Sequence, residues 1–281
     1  MSGKIVVLTG ASSGIGLLAA VELARRGHAV VATMRDLARR ARLEEAAAAA
    51  GVQGKLDFRR LDITESASIP ALVAEIVRDH GRIDVLVNNA GFAVAGFSED
   101  LKLEEIRMQF ETNFFGHVAM TKAVIPMMRK QGAGHIVMIA SIAGRAAAPV
   151  TGAYSASKFA LEGWSEALRI ELRSLGIHVV LVEPGAYQTD IWERNAHLGE
   201  FAVSPESPNH ERGKRFTEVV RTKVHKRDPR VVAELIARIA ENPHPKLRYR
   251  IGPDAHLQFW LRALLPWKVY ERLIERAMRI G

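Results

Sequence analysis

The stretch IVVLTGASSGIG, residues 5–16, runs from a β-branched, apolar segment through a turn with three glycines into a helical pattern at 15–26. A strand that breaks into a helix across glycines is the opening unit of a nucleotide-binding α/β fold. Gly10, Gly14 and Gly16 let the backbone turn tightly and bring helix N–H groups against a pyrophosphate, where the helix dipole favours negative charge. The spacing is G-x-x-x-G-x-G rather than the commoner GxGxxG, and a glycine turn alone is weak support. GASSG (10–14) also fits the G-x-S-x-G nucleophile elbow of hydrolases, with Ser12 as nucleophile. That elbow draws its oxyanion hole from upstream strands, and only nine residues precede the motif, so the hydrolase reading is disfavoured.

Outward from this turn the same alternation repeats. Short, nearly continuous apolar runs recur at AVVAT (29–33), VLVNN (85–89), HIVMIA (135–140) and IHVVLV (177–182), the pattern of strands covered on both faces. Helical patterns lie near 66–79, 103–129 and 153–174, EEAAAAAG (44–51) reads as helix, and RYRIG (248–252) reads as a late strand. Strand–helix alternation predicts an α/β fold: a Rossmann-like, doubly wound parallel sheet, with residues 1–281 as a single domain. The chain has 48% hydrophobic and 25% charged residues, enough to bury one large core. With no cysteine there is no disulfide, thiolate metal site or cysteine nucleophile, and the ten histidines show no metal-ligating spacing. No run of 18 apolar residues occurs, the N-terminal run is too short for an export signal, and a cytoplasmic location is expected. The net charge of +8 is spread along the chain without a basic tail or finger motif, so solvated surface is expected rather than a nucleic-acid site.

Polar residues mark the carboxyl ends of the predicted strands: Asp62 in LDIT (61–64), NNAG (88–91), Ser141 after HIVMIA, and VEPGAYQT (182–189). In a doubly wound sheet these ends converge on one crevice. Downstream of Ser141, GAYSASKFA (152–160) places Tyr154 four residues before Lys158, one helical turn apart on a shared face.

In the order and spacing of TGASSGIG, Asp62, NNAG, Asn113 in NFFG, Ser141, Tyr154, Lys158, Pro184–Gly185 and Thr189, the chain resembles the short-chain dehydrogenases/reductases. The resemblance is to their NADP-preferring branch with hydroxysteroid- and retinol-type members, and it runs from residue 5 to about 190. It implies Tyr154 as general acid/base, Lys158 beside it and on the nicotinamide ribose, Ser141 donating to the substrate oxygen, and Asn113 holding a water for proton relay. Lys158, aided by a nicotinium ring, is expected to lower the Tyr154 pKa so that the phenol can exchange a proton at neutral pH. The resemblance further implies cofactor contacts from Gly10, Ser12, Ser13, Gly14, Ile15 and Gly16 on the pyrophosphate side. It assigns Asp62, Ile63, Asn89, Ala90 and Gly91 to the adenine and ribose side, and Pro184, Gly185 and Thr189 to the carboxamide.

Cofactor choice turns on AVVATMRD (29–36): Met34 stands where NAD-preferring relatives carry an acid, and Arg35 follows. A guanidinium grips a 2′-phosphate with paired charge-assisted bonds, so NADP is expected over NAD, whereas Asp36 at the strand end would select NAD. Residues 190–228, with Trp192, Leu198, Phe201 and Val203, read as a substrate lid or as a surface loop. Residues 253–281 read as an amphipathic extension with Trp267, Tyr270, Leu273, Ile274 and Met278 on one side and Lys268, Arg272, Arg276 and Arg279 largely elsewhere. The extension packs on its own protein, on a second subunit of a homodimer or homotetramer, or on a membrane surface. The expected activity is oxidoreduction of a small hydrophobic alcohol or ketone. The alternative is a non-catalytic NADP-binding regulator on the same fold.

Overall fold

The computed structural model describes residues 3–192, 195–223 and 226–278. Its strands are β1 (Ile5–Thr9), β2 (Ala29–Met34), β3 (Leu56–Arg60), β4 (Val85–Asn88), β5 (Ala93–Ala95), β6 (Gly134–Ile139), β7 (Ile177–Pro184), β8 (Ala196–Leu198) and β9 (Arg248–Ile251). Its helices are α1 (Gly14–Arg25), α2 (Ala41–Ala49), α3 (Ile69–His80), α4 (Leu103–Phe110), α5 (Gly116–Gln131), α6 (Gly152–Leu172), α7 (His210–Lys223), α8 (Arg230–Glu241), α9 (Pro253–Leu264) and α10 (Trp267–Met278). Arg279, assigned to the polar side of the extension, lies outside the described residues, as do residues 193, 194, 224 and 225 of the expected lid.

Among the described residues, a seven-stranded sheet runs β3-β2-β1-β4-β6-β7-β9, every pair parallel. Parallel neighbours need crossovers, and the helices that make them cover both faces. Val6 and Leu8 of β1 point to a core layer with Leu17, Leu23 and Ala24 of α1 and Val232, Ile236 and Ile239 of α8. Val7 points the other way, to a layer with Ile69, Val73 and Ile76 of α3, Met120 and Val124 of α5, and Leu161 and Leu168 of α6. Two apolar layers on one period-2 strand account for its unbroken apolar run. The order steps outward from β1 through β2 to β3, then restarts on the other side with β4. The crevice between the carboxyl ends of β1 and β4 is therefore the switch point where such sheets bind ligands.

The structure departs from the sequence reading in three places. The predicted helix at 103–129 is α4 and α5 joined by a π-helical turn, Glu111–Phe115, that carries Asn113. A π turn keeps the 3.6-residue apolar rhythm on either side, so periodicity cannot reveal it. β5 and β8 form a separate parallel pair too short to register as an apolar run, and the region 190–228 contains α7. In the extension, α10 packs against α7 and α9 and buries Tyr270, while Trp267 and Leu273 stay exposed, so its apolar side is only partly covered.

Residues beyond 228 complete the first core layer, because α8 lies on α1 and Ile236 is fully buried there. Ile236→Ala removes those contacts and should lower unfolding free energy by about 2–4 kcal/mol in urea titration. A loss under about 0.5 kcal/mol would mean that this helix is dispensable to the core.

Candidate active site

The switch point is tied together by one hydroxyl. Thr9, the buried last residue of β1, accepts at Oγ1 from the backbone N–H groups of Asn89 (2.9 Å) and Ala90 (3.0 Å). Asn89 Nδ2 donates back to the Thr9 carbonyl at 2.9 Å and the Gly10 carbonyl at 3.0 Å. The glycine turn and the NNAG turn thus form one unit across the β1–β4 gap. Their approach is close: a Cβ on Gly16 would overlap the Gly10 carbonyl oxygen and the Asn89 amide nitrogen. Gly10 has φ +71°, and a Cβ there would come within 2.7 Å of Ala90 Cα. Ser13 precedes α1 in an extended conformation and makes no side-chain bond to the helix, so a ligand can meet the first N–H groups of α1. A turn kept free of side chains, opening onto an uncapped helix N-terminus, fits a dinucleotide pyrophosphate. Thr189 faces Gly14, its Cβ 3.6 Å from where a Gly14 side chain would begin, so the turn after β7 closes the same crevice. Among the described residues Ser12 donates no hydrogen bond to a histidine, so the hydrolase reading lacks its base.

Beside this turn, β2 ends at Met34, which is buried and paired in register with Arg60 of β3. Arg35 is the first exposed residue past the strand end. Asp36 caps the following turn, its Oδ1 accepting from Ala38 N at 2.9 Å. Across from Arg35, burial pushes the Asp62 carboxyl up, but bonds from Thr64 and the Arg35 charge hold it below the ordinary range. Ile63 is buried against Gly116, where any side chain would collide with it. After β7, Gly185 N donates to the Ile251 carbonyl at 3.0 Å, and Ala186 N donates to Asp254 Oδ2 at 2.6 Å. The turn at Pro184–Gly185 is thereby held by β9 and the start of α9.

On the β4–β6 side, α6 presents Tyr154 and Lys158, both buried. The Tyr154 phenol is hydrogen-bonded with Ser141, the residue at the end of β6 whose Oγ also accepts from Ala143 N at 3.1 Å. Lys158 Nζ donates to the Ile139 carbonyl at 2.8 Å and lies 5.8 Å from the centre of the Tyr154 ring. Asn113 is fully buried, its amide bridging the Phe92 backbone by accepting from N at 3.2 Å and donating to the carbonyl at 3.0 Å. One turn further, the buried His117 pairs through Nε2 with the Ala90 carbonyl at 2.7 Å. Burial and the Lys158 charge push its pKa down to about 3, so it is neutral and donates this bond. The sequence reading missed His117, although its spacing of four from Asn113 puts both on one helix face.

The electrostatics correct one expectation. Burial pushes the Tyr154 phenol up to about 12, with the Ser141 bond acting in the opposite sense. Burial likewise pushes Lys158 down to about 8, with Glu162 acting against it. Desolvation is the larger influence on both groups, so in the chain by itself the Tyr154 phenol is neutral.

The comparisons with known proteins bear on this arrangement directly. The short chain dehydrogenase family matches residues 4–198. The oxidoreductase YusZ of Bacillus subtilis is 42% identical over 99% of both chains. The chain belongs to the short-chain dehydrogenase family. Further relatives are the 3-ketodihydrosphingosine reductase of Bacteroides thetaiotaomicron, 36% identical over 92% of this chain and 91% of that one, and the retinol dehydrogenase 8 of Bos taurus, 37% identical over 94% and 86%. A short-chain dehydrogenase from Streptomyces avermitilis has the same fold, with TM-score 0.82, 32% identity and 97% of each chain covered. Two solved members at 28% identity hold different cofactors. A metagenomic oxidoreductase (TM-score 0.71, covering 89% of this chain and 97% of its own) binds NADP, and one from Burkholderia phymatum (TM-score 0.79, covering 93% of each) binds NAD. As a short-chain dehydrogenase the chain is an oxidoreductase of the alcohol/carbonyl class served by a nicotinamide cofactor, and among the described residues no helix is long and apolar enough to cross a membrane.

The cradle is testable at its tightest point. Gly16→Ala, which forces a methyl into the gap between the two turns, should weaken nicotinamide dinucleotide binding at least about tenfold by calorimetry and lower thermal stability. Unchanged affinity would place the pyrophosphate elsewhere.

Proposed function

We propose that the chain is an NADP(H)-dependent oxidoreductase that interconverts a bulky, apolar secondary alcohol and its ketone, with Tyr154 as proton donor and acceptor. The observation that carries this reading is the buried pair of Tyr154 and Lys158, with the phenol hydrogen-bonded to the half-buried Ser141 beside the glycine crevice. Bound along the β1–β4 switch point, a nicotinamide dinucleotide supplies or takes up the hydride. The protein supplies position and a proton. In the reducing direction a substrate oxygen bonded by Ser141 and Tyr154 gains negative charge, and the phenol, neutral at physiological pH, delivers its proton to that oxygen. The Lys158 ammonium, one turn away, stabilises the phenolate left behind. Asn113 keeps the π turn and Phe92 in place and is proposed to help hold a water on the proton path from Lys158.

The apolar substrate is supported by the names of two relatives, a ketodihydrosphingosine reductase and a retinol dehydrogenase. It is supported also by Leu198, Phe201 and Val203, exposed apolar side chains in the proposed lid at 190–228. A panel of carbonyls followed at the nicotinamide absorbance band should show turnover of bulky apolar ketones and little of small charged hydroxy acids. Tyr154→Phe should reduce that turnover at least about a hundredfold while cofactor affinity stays within a few-fold. Retention of most activity in Tyr154→Phe would falsify the assignment.

The preference for NADP is supported by the end of β2. Met34 is the last strand residue, Arg35 is the first residue free to meet a 2′-phosphate, and the Asp36 carboxylate is turned to its own backbone. Wild type should show at least about tenfold higher kcat/KM with NADPH than with NADH, and Met34→Asp with Arg35→Ala should reverse the order. NADH preferred by the wild type overturns this part of the reading and leaves the Tyr154 assignment standing.

A further inference from the structure

Behind the Tyr154–Lys158 pair lies a group of charges that the proposed reaction does not use. Glu162 of α6 and Glu183 of β7 are both buried. Arg248 of β9 donates through Nε to Glu162 Oε2 at 3.0 Å, lies 3.1 Å from Glu183 Oε1, and also pairs with Glu166. Arg250 donates through Nε to Glu183 Oε2 at 3.0 Å, and its guanidinium lies over the Phe259 ring of α9 at 3.5 Å. Arg145 stands at the rim, 4.0 Å from Glu162 and 3.8 Å from Glu166. Glu162 Oε1 has no hydrogen-bond partner among the described residues. A buried carboxylate with one oxygen unsatisfied is destabilising unless another nearby charge compensates it.

Besides the arginines, a further cation stands on the same helix. Lys158 precedes Glu162 by four residues, so the two share a face of α6. The turn that follows Ser141 packs onto the same stretch: a Cβ on Gly144 would come within 2.9 Å of the Lys158 carbonyl oxygen and 3.1 Å of Glu162 Cγ. Glu162 therefore stands between the proton-transfer residues and the arginines of β9.

We propose that Glu162 is a positioning residue for Lys158: its buried carboxylate, anchored by Arg248, is the counter-charge that keeps the ammonium protonated beside Tyr154. This rests on the reading of Tyr154 and Lys158 given above. The groups that face Glu162 are Lys158 and Glu166 on its own helix, Arg145 on the turn after β6, Glu183 on β7, and Arg248 on β9, with Arg250 reaching it through Glu183. Those that face Lys158 are Tyr154, Glu162, His117 and the Ile139 carbonyl, and His117 is neutral. Burial, then the neighbouring Glu183, pushes Glu162 up to about 7, while burial brings Lys158 down to about 8. The sign follows: as pH rises the Glu162 anion appears, and that anion holds the Lys158 ammonium against loss of its proton.

The test is Glu162→Gln, which keeps an acceptor for Arg248 and removes the charge. In the cofactor-free chain, the NMR titration of the Lys158 Cε resonance should move down by about one pH unit. In turnover of a bulky apolar ketone, the alkaline limb of kcat/KM should move with it. Activity should stay within about threefold of wild type at pH 6 and fall about tenfold at pH 8.5. Glu162→Asp, which retains the charge, should recover most of the limb, whereas packing alone would make Asp the worse replacement. Arg248→Gln leaves Glu162 without its guanidinium, disfavours its anion and should shift the limb the same way, which keeps the test open if Glu162→Gln does not fold. A folded Glu162→Gln with an unmoved Lys158 titration overturns the inference. If Lys158→Ala keeps full activity, the underlying reading of the site fails instead, and the two failures are told apart.

Discussion

Two parallel neighbours whose following helices lie on opposite faces of the sheet must be joined where those connections part, and here the joint is the Thr9 hydroxyl with the Asn89 side chain. Thr9 accepts two backbone N–H groups from the turn after β4, and Asn89 returns two bonds to the turn after β1. The reciprocity leaves no slack, which is why Gly16 has no room for a side chain. Everything on the carboxyl edge is referenced to this joint: α1 points its N-terminus at the crevice, Ala90 takes the His117 bond, and Thr189 closes over Gly14. The rigid element is therefore the turn pair, and the functional groups are hung from it on packed helices.

Burial governs the chemistry as strongly as neighbouring charge does. Tyr154, Lys158, His117 and Glu162 are all removed from water, and each is driven toward its neutral form. For Tyr154 and His117 that is the form in which they donate a hydrogen bond. The Glu162 charge opposes the neutralisation of Lys158, and the Arg248 and Arg145 guanidiniums oppose that of Glu162. A buried ion pair is a poor source of stability, because desolvation offsets most of the attraction. The placement of the Glu162–Arg248 pair one helical turn past Lys158 is better understood as tuning than as reinforcement.

The segment beyond the family match is integral to this arrangement. α8 fills the first core layer, β9 extends the sheet, and Arg248 and Arg250 of β9 reach back into the charge group beside α6. Phe259 of α9 lies over Arg250, and Asp254 at the start of the same helix holds Ala186 and pairs with Arg227. The C-terminal helices thus bear on both the Pro184–Gly185 turn and the charge group beside α6, while Leu257, Trp260 and Leu264 on the outer side of α9 remain exposed.

By itself the sequence determined the sheet, its strands and the glycine turn. These are local: apolar runs of a few residues, glycines at required spacings, and a helix that puts Tyr154 and Lys158 on one face by simple periodicity. It also located the strand ends, so Asp62, Asn89, Ser141 and Thr189 were legible as a set before any of them was seen beside another. Only the tertiary structure decided the rest, because it depends on contacts between segments far apart in the chain. The π turn at Asn113 is invisible to a 3.6-residue rhythm. The neutral His117 is defined by its bond to Ala90, and the role of Asp36 by a cap two residues away rather than by its charge. The Tyr154 pKa, read from the sequence as lowered by Lys158 and a nicotinium ring, is raised in the chain by itself, because periodicity reports which groups share a face but not how much water is left around them. Glu162 lay in plain view four residues past Lys158, and only the approach of Arg248 from a strand 86 residues away gave its charge a place.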